Sequence, residues 1–90
     1  MNKKERRKHM LHVFYAHGYR YLVRDKDGHM HIFTEKPTKG RACWLCKKGT
    51  GDDYLPFDEL FDELFDDIRF ENAEPLYIAK ELGAGDGNDA

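Results

Sequence analysis

The chain has no serine and only three threonines, two cysteines and one tryptophan among its 90 residues. Nucleophilic catalysis needs a hydroxyl or thiol held beside a base and an orienting acid. No cysteine here is spaced with a histidine and an acid in that way, and no Gly-rich phosphate-binding pattern is present. A domain of this length also offers little room for a catalytic cleft. The sequence therefore predicts a protein that is not an enzyme.

Long apolar runs are also absent. No stretch approaches the roughly 20 apolar residues that a membrane-spanning helix needs. The basic start of the chain is not followed by the apolar core of a signal peptide, because residues 11–16 are too few and include His12. We therefore expect no membrane contact and a cytoplasmic protein, in which Cys43 and Cys46 remain thiols.

Charge is abundant and is divided between the two halves of the chain. Residues 1–48 carry thirteen Lys and Arg against four acids, whereas residues 51–90 carry thirteen acids against two basic residues. The net charge of −2 conceals this division. A small protein with one basic and one acidic face is suited to charged partners.

Hydrophobic periodicity predicts one α+β domain with the order β-β-β-α-β, a small antiparallel sheet covered by one acidic amphipathic helix. Residues 1–9 are expected to form a flexible basic arm, residues 10–82 the domain and residues 83–90 a flexible tail. Residues 10–16 fit either a strand or a helix face, and we favour the strand. The third strand is expected over 41–48 and the last over 76–82.

Asp27-Gly28 predicts a two-residue hairpin turn. That turn would place Val23 opposite Ile32. The predicted core face of the hairpin then carries Tyr19, Tyr21, Val23, Met30 and Ile32, and the basic, mixed face carries Arg20, Leu22, Arg24, His29, His31 and Phe33. Trp44, in the third strand, is expected to be a buried packing residue facing the helix.

A helix predicted over residues 58–68 carries most of the acidic charge. Its apolar residues follow helical spacing, and its acids lie beside and opposite that stripe. Carboxylates along a helix can imitate the phosphates of a nucleic acid and occupy a basic site on a nucleic-acid enzyme; a solvated face is the simpler interpretation. The predicted partner-binding residues are Asp58, Glu59, Asp62, Glu63, Asp66 and Asp67, with Tyr54 as an aromatic anchor.

Cys43-Trp44-Leu45-Cys46 is a single CxxC. With His29 and His31 it supplies the ligand types of a Cys2His2 zinc site. Residues three apart in a regular strand point to opposite faces. We therefore favour half-buried thiols and no cofactor, with a zinc-stabilised adaptor as an alternative.

The basic N-terminal segment is a second candidate binding surface. It could hold nucleic acid through counterion release, with Phe33 as a stacking ring. The hairpin residues that could extend this surface are Arg20, Arg24, Lys26, His29 and His31. The alternatives are a solubilising arm or an intramolecular complement to the acidic helix. The segment contains Lys3, Lys4, Arg6, Arg7, Lys8 and His9.

Residues 19–28, 31–37, 54–56 and 68–71 before Pro75, together with the strand residue Trp44, resemble small phage and prophage proteins of Gram-positive bacteria. The resemblance covers residues 19–82 and implies a compact α+β domain from a mobile element, without catalytic or ligand residues. Acidic proteins of that kind often block host proteins such as RNA-guided nucleases. The first hypothesis is thus an anti-CRISPR-like inhibitor of a host nucleic-acid-handling protein. The second is a small nucleic-acid-binding accessory protein, and an open sheet edge leaves both monomer and homodimer possible.

Overall fold

Three helices and two antiparallel sheets make up residues 2–46, 52–55 and 59–84, which the computed structural model describes. This confirms the α+β class. The observed order adds a helix before the first hairpin and another after the last strand. In chain order the elements are α1 (Lys3–Ala16), β1 (Tyr21–Arg24), β2 (Met30–Phe33), β3 (Thr38–Lys39), β4 (Trp44–Leu45), β5 (Asp52–Leu55), α2 (Glu59–Leu64), β6 (Leu76–Tyr77) and α3 (Ile78–Ala84).

The larger sheet has the strand order β5-β2-β1-β6, and each neighbouring pair is antiparallel. Both of its faces are covered. The first face packs with the helices in a core formed by Leu11, Phe14, Leu22, Met30, Ile32, Leu64, Phe65, Ile68 and Ile78. The second face packs with the ribbon formed by β3 and β4 in a smaller cluster of Val23, Phe33 and Trp44. The sheet is therefore the middle layer of the domain.

The predicted register of the first hairpin is wrong by one residue, because Leu22 and not Val23 lies opposite Ile32. The Gly28 N–H donates to the Asp25 carbonyl at 2.9 Å, and Gly28 has a φ of 96°. The turn therefore has three residues, with glycine in the left-handed region. A shift of one residue moves side chains to the opposite face. Leu22, assigned to the mixed face, is accordingly buried in the core.

Helix α1 replaces both the flexible arm predicted at residues 1–9 and the strand favoured at residues 10–16. A capping box starts it. The Glu5 N–H donates to Asn2 Oδ1 at 2.9 Å, and the Asn2 N–H donates to Glu5 Oε1 at 3.0 Å. Leu11 and Phe14 are buried against the sheet, and this packing favours the helix over a strand.

Gly18 ends α1 with a φ of 97°. Its N–H donates to the Tyr15 carbonyl at 3.0 Å, and the Tyr19 N–H donates to the Phe14 carbonyl at 3.0 Å. This Schellman arrangement satisfies carbonyls that the helix leaves without a partner. It also turns the chain directly into β1.

The remaining elements also differ from prediction. Trp44 is buried, as expected, but its strand belongs to the small ribbon. That ribbon covers the second face of the larger sheet, opposite the face that packs with the helices, so Trp44 does not face the acidic helix. The acidic helix ends at Leu64 and continues as turns. The strand predicted over 76–82 is two residues long, because Ile78 and Leu82 pack at helical spacing in α3. The flexible tail predicted over residues 83–90 is wrong at residues 83 and 84, which belong to α3, and residues 85–90 lie outside the described residues.

Candidate functional site

Three of the predicted acidic partner-binding residues lie against basic side chains of the same chain. Asp67 accepts two hydrogen bonds from Arg7, at 2.5 Å from Nη1 and 3.1 Å from Nη2. Asp66 lies 3.4 Å from Lys3 Nζ. The third, Asp62, is paired with Arg24. The structure therefore supports the intramolecular complement that was one alternative for the basic segment.

Arg7 connects all three helices. Besides Asp67 after α2, its guanidinium contacts Glu81 of α3 at 2.9 Å and the Leu64 carbonyl at 3.2 Å. It also lies over the Phe65 ring, 5.3 Å from the centroid. With a side chain only 18% exposed, Arg7 is part of the packing and is poorly placed to meet an external ligand.

The pKa values of this pair reflect the contact. Hydrogen bonds from Arg7 hold the pKa of Asp67 below its ordinary value. Burial lowers the pKa of Arg7, but its bonds to Asp67 and Glu81 outweigh burial and leave that pKa raised. Both groups are thus charged at neutral pH, and the pair persists there.

Arg24, expected on a basic binding face, is also internal. Its guanidinium donates to the carbonyls of Ile68 at 2.7 Å, Gly28 at 2.9 Å and Phe65 at 3.1 Å, and it pairs with Asp62. The side chain is 13% exposed. Phe33, proposed as a stacking ring, is 2% exposed and cannot meet a base. The hairpin part of the predicted nucleic-acid surface is therefore wrong at these two positions.

The other predicted acidic residues are less constrained. Glu63 is exposed and makes no ion pair with the residues that the structure describes. Asp58 lies outside the described residues, as do the side chains of Glu59 and Tyr54. The acidic surface thus contains internally paired members and at least one exposed member, Glu63, that has no ion pair among the described residues.

The outer face of α1 is basic and exposed. The side chains of its cationic residues and histidines form no hydrogen bond or ion pair within residues 2–46, 52–55 and 59–84. Lys4, Lys8 and His12 stand at intervals of four, a stripe of roughly 12 Å along the helix axis. Arg6 and His9, three apart, form a second exposed row further round the helix, because residues two apart do not face each other. We call the whole exposed surface the outer basic face; it consists of Lys4, Arg6, Lys8, His9 and His12.

The C-terminal end of α1 carries a further cation. The Arg20 guanidinium lies 3.8 Å from the centroid of the Tyr15 ring and donates to the Tyr15 carbonyl at 3.0 Å. The basic segment thus forms an ordered helix face, which was not predicted from the sequence. The Asn2-x-x-Glu5 capping pattern and Gly18 are the local signals that indicate it.

Three of the four candidate zinc ligands lie close to an aspartate or a backbone carbonyl of the same chain. His31 Nε2 lies 3.2 Å from Asp25 Oδ2, and His29 Nδ1 lies 2.9 Å from Asp27 Oδ2. Cys46 Sγ lies 3.8 Å from the Glu35 carbonyl. Across the described part of the chain, no group of three or more metal-ligating side chains is assembled. Zinc binding stays a hypothesis for metal analysis, and Cys43 is half-buried.

Comparison of the chain with protein-family models, curated proteins and solved structures gives no match. The resemblance to phage proteins therefore stays a prediction. Among the described residues, no helix combines the length and the apolar character needed to cross a membrane.

Proposed function

We propose that this protein is a non-enzymatic binding domain that holds a nucleic acid backbone on the outer basic face of α1. The observation that supports this proposal is the contrast within one helix. Lys3 and Arg7 are paired with acids of the same chain, whereas Lys4, Arg6 and Lys8 are exposed and without such pairs among the described residues.

The physical basis is counterion release. Each phosphate neutralised by a protein cation releases condensed counterions, so binding weakens with salt at a slope of about 0.7 to 0.9 per contact. Three contacts, from Lys4, Arg6 and Lys8, give an expected logarithmic slope of about −2 to −3. Such contacts carry no base readout. The protein should therefore bind different sequences with similar affinity.

The internal pairing also reduces an objection to this function. An acidic half would ordinarily repel the same phosphates that the basic half attracts. Here Asp66 and Asp67 lie 3.4 and 2.5 Å from cations on the inner side of α1, which offset their charge at close range. The negative charge of these two acids is thus already offset by Lys3 and Arg7, which lie on the same helix as the outer basic face.

Charge removal on this face tests the proposal. The variant Lys4→Gln/Arg6→Gln/Lys8→Gln would be compared with Lys26→Gln/Arg41→Gln/Arg69→Gln, which removes the same charge from exposed positions elsewhere. Fluorescence anisotropy with labelled DNA, from low to high salt, should show a loss of affinity and a flatter salt slope only in the first variant. Equal losses in both variants, or no binding by the wild type at low salt, would contradict the proposal.

A second candidate function uses the acidic side, as an inhibitor that imitates nucleic acid on a host protein with a basic site. Exposure favours it, since the side chains of Asp66 and Asp67 are 63% and 58% exposed despite their pairs, and Glu63 is exposed. The test is the variant Glu63→Lys/Asp66→Lys, which spares Asp62 and Asp67 and hence their contacts with Arg24 and Arg7. A nucleic-acid-handling protein captured from nuclease-treated lysate by the wild type, and lost with this variant, would support the mimic. Equal capture by both would exclude these acids from the contact.

A further inference from the structure

Two tyrosines form a stacked pair at one edge of the larger sheet. Tyr21 of β1 lies opposite Tyr77 of β6, and their ring centroids are 5.0 Å apart with planes inclined by 18°. Strand β6 is the last strand on that side of the sheet. Tyr77 remains 45% exposed, so the pair offers aromatic surface to an external ligand.

The surroundings of the pair are concave and carry more positive than negative charge. A recess of about 290 Å³ is lined by Tyr21, Lys36, Glu74, Pro75, Tyr77 and Lys80. Lys36 Nζ lies 3.0 Å from Glu74 Oε1, and both side chains are more than half exposed. Lys80 is exposed and forms no ion pair with another described residue. One lysine is therefore compensated and one is available.

We propose that this aromatic ledge, the recess with its two stacked tyrosines, takes one base of a single-stranded nucleic acid. The base would stack on Tyr77 and its phosphate would approach Lys80. Aromatic rings and nearby cations are the combination that single-strand-binding proteins use, and it tolerates any base because every base has a π face. The inference rests on the proposed function in that both need a nucleic acid ligand.

The ledge would add a preference for single-stranded over duplex nucleic acid, which the outer basic face lacks. Phosphates are presented by duplex and single strand alike, whereas the bases of a duplex are already stacked on one another and single-stranded bases can be splayed onto an aromatic ring. A proline-rich peptide is the other ligand that aromatic grooves take. It has no phosphates to match Lys80, so charge complementarity favours the single strand.

Ring removal at Tyr77 tests the ledge. Anisotropy would be measured with a labelled 12-nucleotide single strand and with the duplex of the same sequence, for the wild type, Tyr77→Leu and Tyr77→Phe. Tyr77→Leu should weaken single-strand binding about tenfold, the order expected for one stacked base, and leave duplex binding unchanged. Tyr77→Phe keeps the ring and should match the wild type. Lys80→Gln, at an exposed helix position, is the second variant should Tyr77→Leu fail to fold.

The outcomes separate the two proposals. If Tyr77→Leu and Lys80→Gln bind the single strand as Tyr77→Phe does while the triple variant of α1 loses both ligands, the ledge is wrong and the proposed function stands. If only the ledge variants lose the single strand, the ledge stands and the α1 site is wrong. A wild type that binds neither ligand overturns both. Shifts of the Tyr77 and Lys80 amide resonances with a proline-rich peptide, and none with the single strand, would overturn the ledge as a base site.

Discussion

The inner and outer faces of α1 carry the same residue types, and the fold uses them differently. On the inner face, Lys3 and Arg7 precede the buried Leu11 at intervals of four and meet acids that follow α2. On the outer face, Lys4 and Lys8 have the same interval and meet no described acid. The comparison shows that the number of charged residues does not determine their role. The role depends on whether a residue lies on the helix face that packs against the rest of the domain or on the face turned away from it. Each prediction below compares a variant at one position with a control variant at a second, matched position.

The largest effect is expected from apolar truncation on the two faces. Leu11→Ala removes a side chain that is 1% exposed and should lower the free energy of unfolding by about 2–5 kcal/mol. Val13→Ala changes a side chain that is 36% exposed, and the change should stay within about 0.5 kcal/mol. Urea unfolding followed by circular dichroism measures both. Similar losses would mean that α1 has no distinct inner face.

Neighbouring arginines give the next comparison. Arg7→Leu removes the contacts with the Leu64 carbonyl, Asp67 and Glu81, and should cost about 2 kcal/mol of stability, since both acids are partly solvated and recover some hydration. Arg6→Leu removes an exposed cation and should change stability by less than about 0.5 kcal/mol. Thermal unfolding of the two variants side by side is the measurement. An equal cost would show that Arg7 does not hold the helices together.

Acid should abolish the contribution of the inner pair. The pKa of Asp67 is lowered from 3.8 in the folded protein by hydrogen bonds from Arg7. The stabilisation is therefore complete above the unfolded pKa and is lost as pH falls through the folded pKa. At neutral pH Asp67→Asn should be less stable than the wild type by about 1 kcal/mol, because the Asp67 side chain is 58% exposed and solvent screens part of the interaction.

Denaturant titrations of the wild type and Asp67→Asn over a pH series measure this difference. The difference in the free energy of unfolding should stay constant from neutral pH down to about pH 5 and should fall towards zero at lower pH. Asp66→Asn serves as the control, because its partner Lys3 is itself half exposed and the difference should be small throughout. A difference for Asp67→Asn that is independent of pH would point to a packing effect rather than to its charge.

The smallest effect is expected at the exposed end of the helix. Lys3→Gln breaks a pair whose side chains are 50% and 63% exposed, and should cost no more than about 0.5 kcal/mol. Lys4→Gln should be neutral for stability. Nucleic acid binding should rank the two in the opposite order, with the greater loss in Lys4→Gln. Stability and anisotropy measured on the same preparations would show whether the two faces divide these roles.

Local signals account for the parts of the fold that the sequence predicts. Glycine at residue 28 gives the turn, and the spacing of Leu64, Phe65 and Ile68 gives the buried stripe that follows α2. The hairpin register could not be settled in this way. A two-residue turn and a three-residue turn both place glycine at positive φ after aspartate, and they differ by one residue in pairing.

The candidate site was less predictable, since it depends on contacts between distant residues. Arg7 and Arg24 look like surface cations in the sequence, and their roles follow mainly from carbonyls and acids in the second half of the chain, such as Asp62 for Arg24 and Glu81 for Arg7. The acidic residues around Asp62 were predicted to face a partner for the same reason: their internal partners lie in the other half of the chain. For the candidate site, only the two ends of α1 are marked by neighbouring residues in the sequence. Asn2 and Glu5 mark its start, and Gly18 marks its end.

The contact between Arg7 and Glu81, 74 positions apart, bears on the order in which the protein becomes functional during synthesis. The basic segment leaves the ribosome before the acids that pair with it and before the apolar residues of α2 and α3 that help to hold α1. A 14-residue helix is marginal in water without tertiary packing. Until α3 has been made, the cations of α1 therefore belong to a largely unfolded segment with no fixed spacing. The outer basic face is thus a property of the finished fold, and a chain arrested before α3 would present the same residues without the surface.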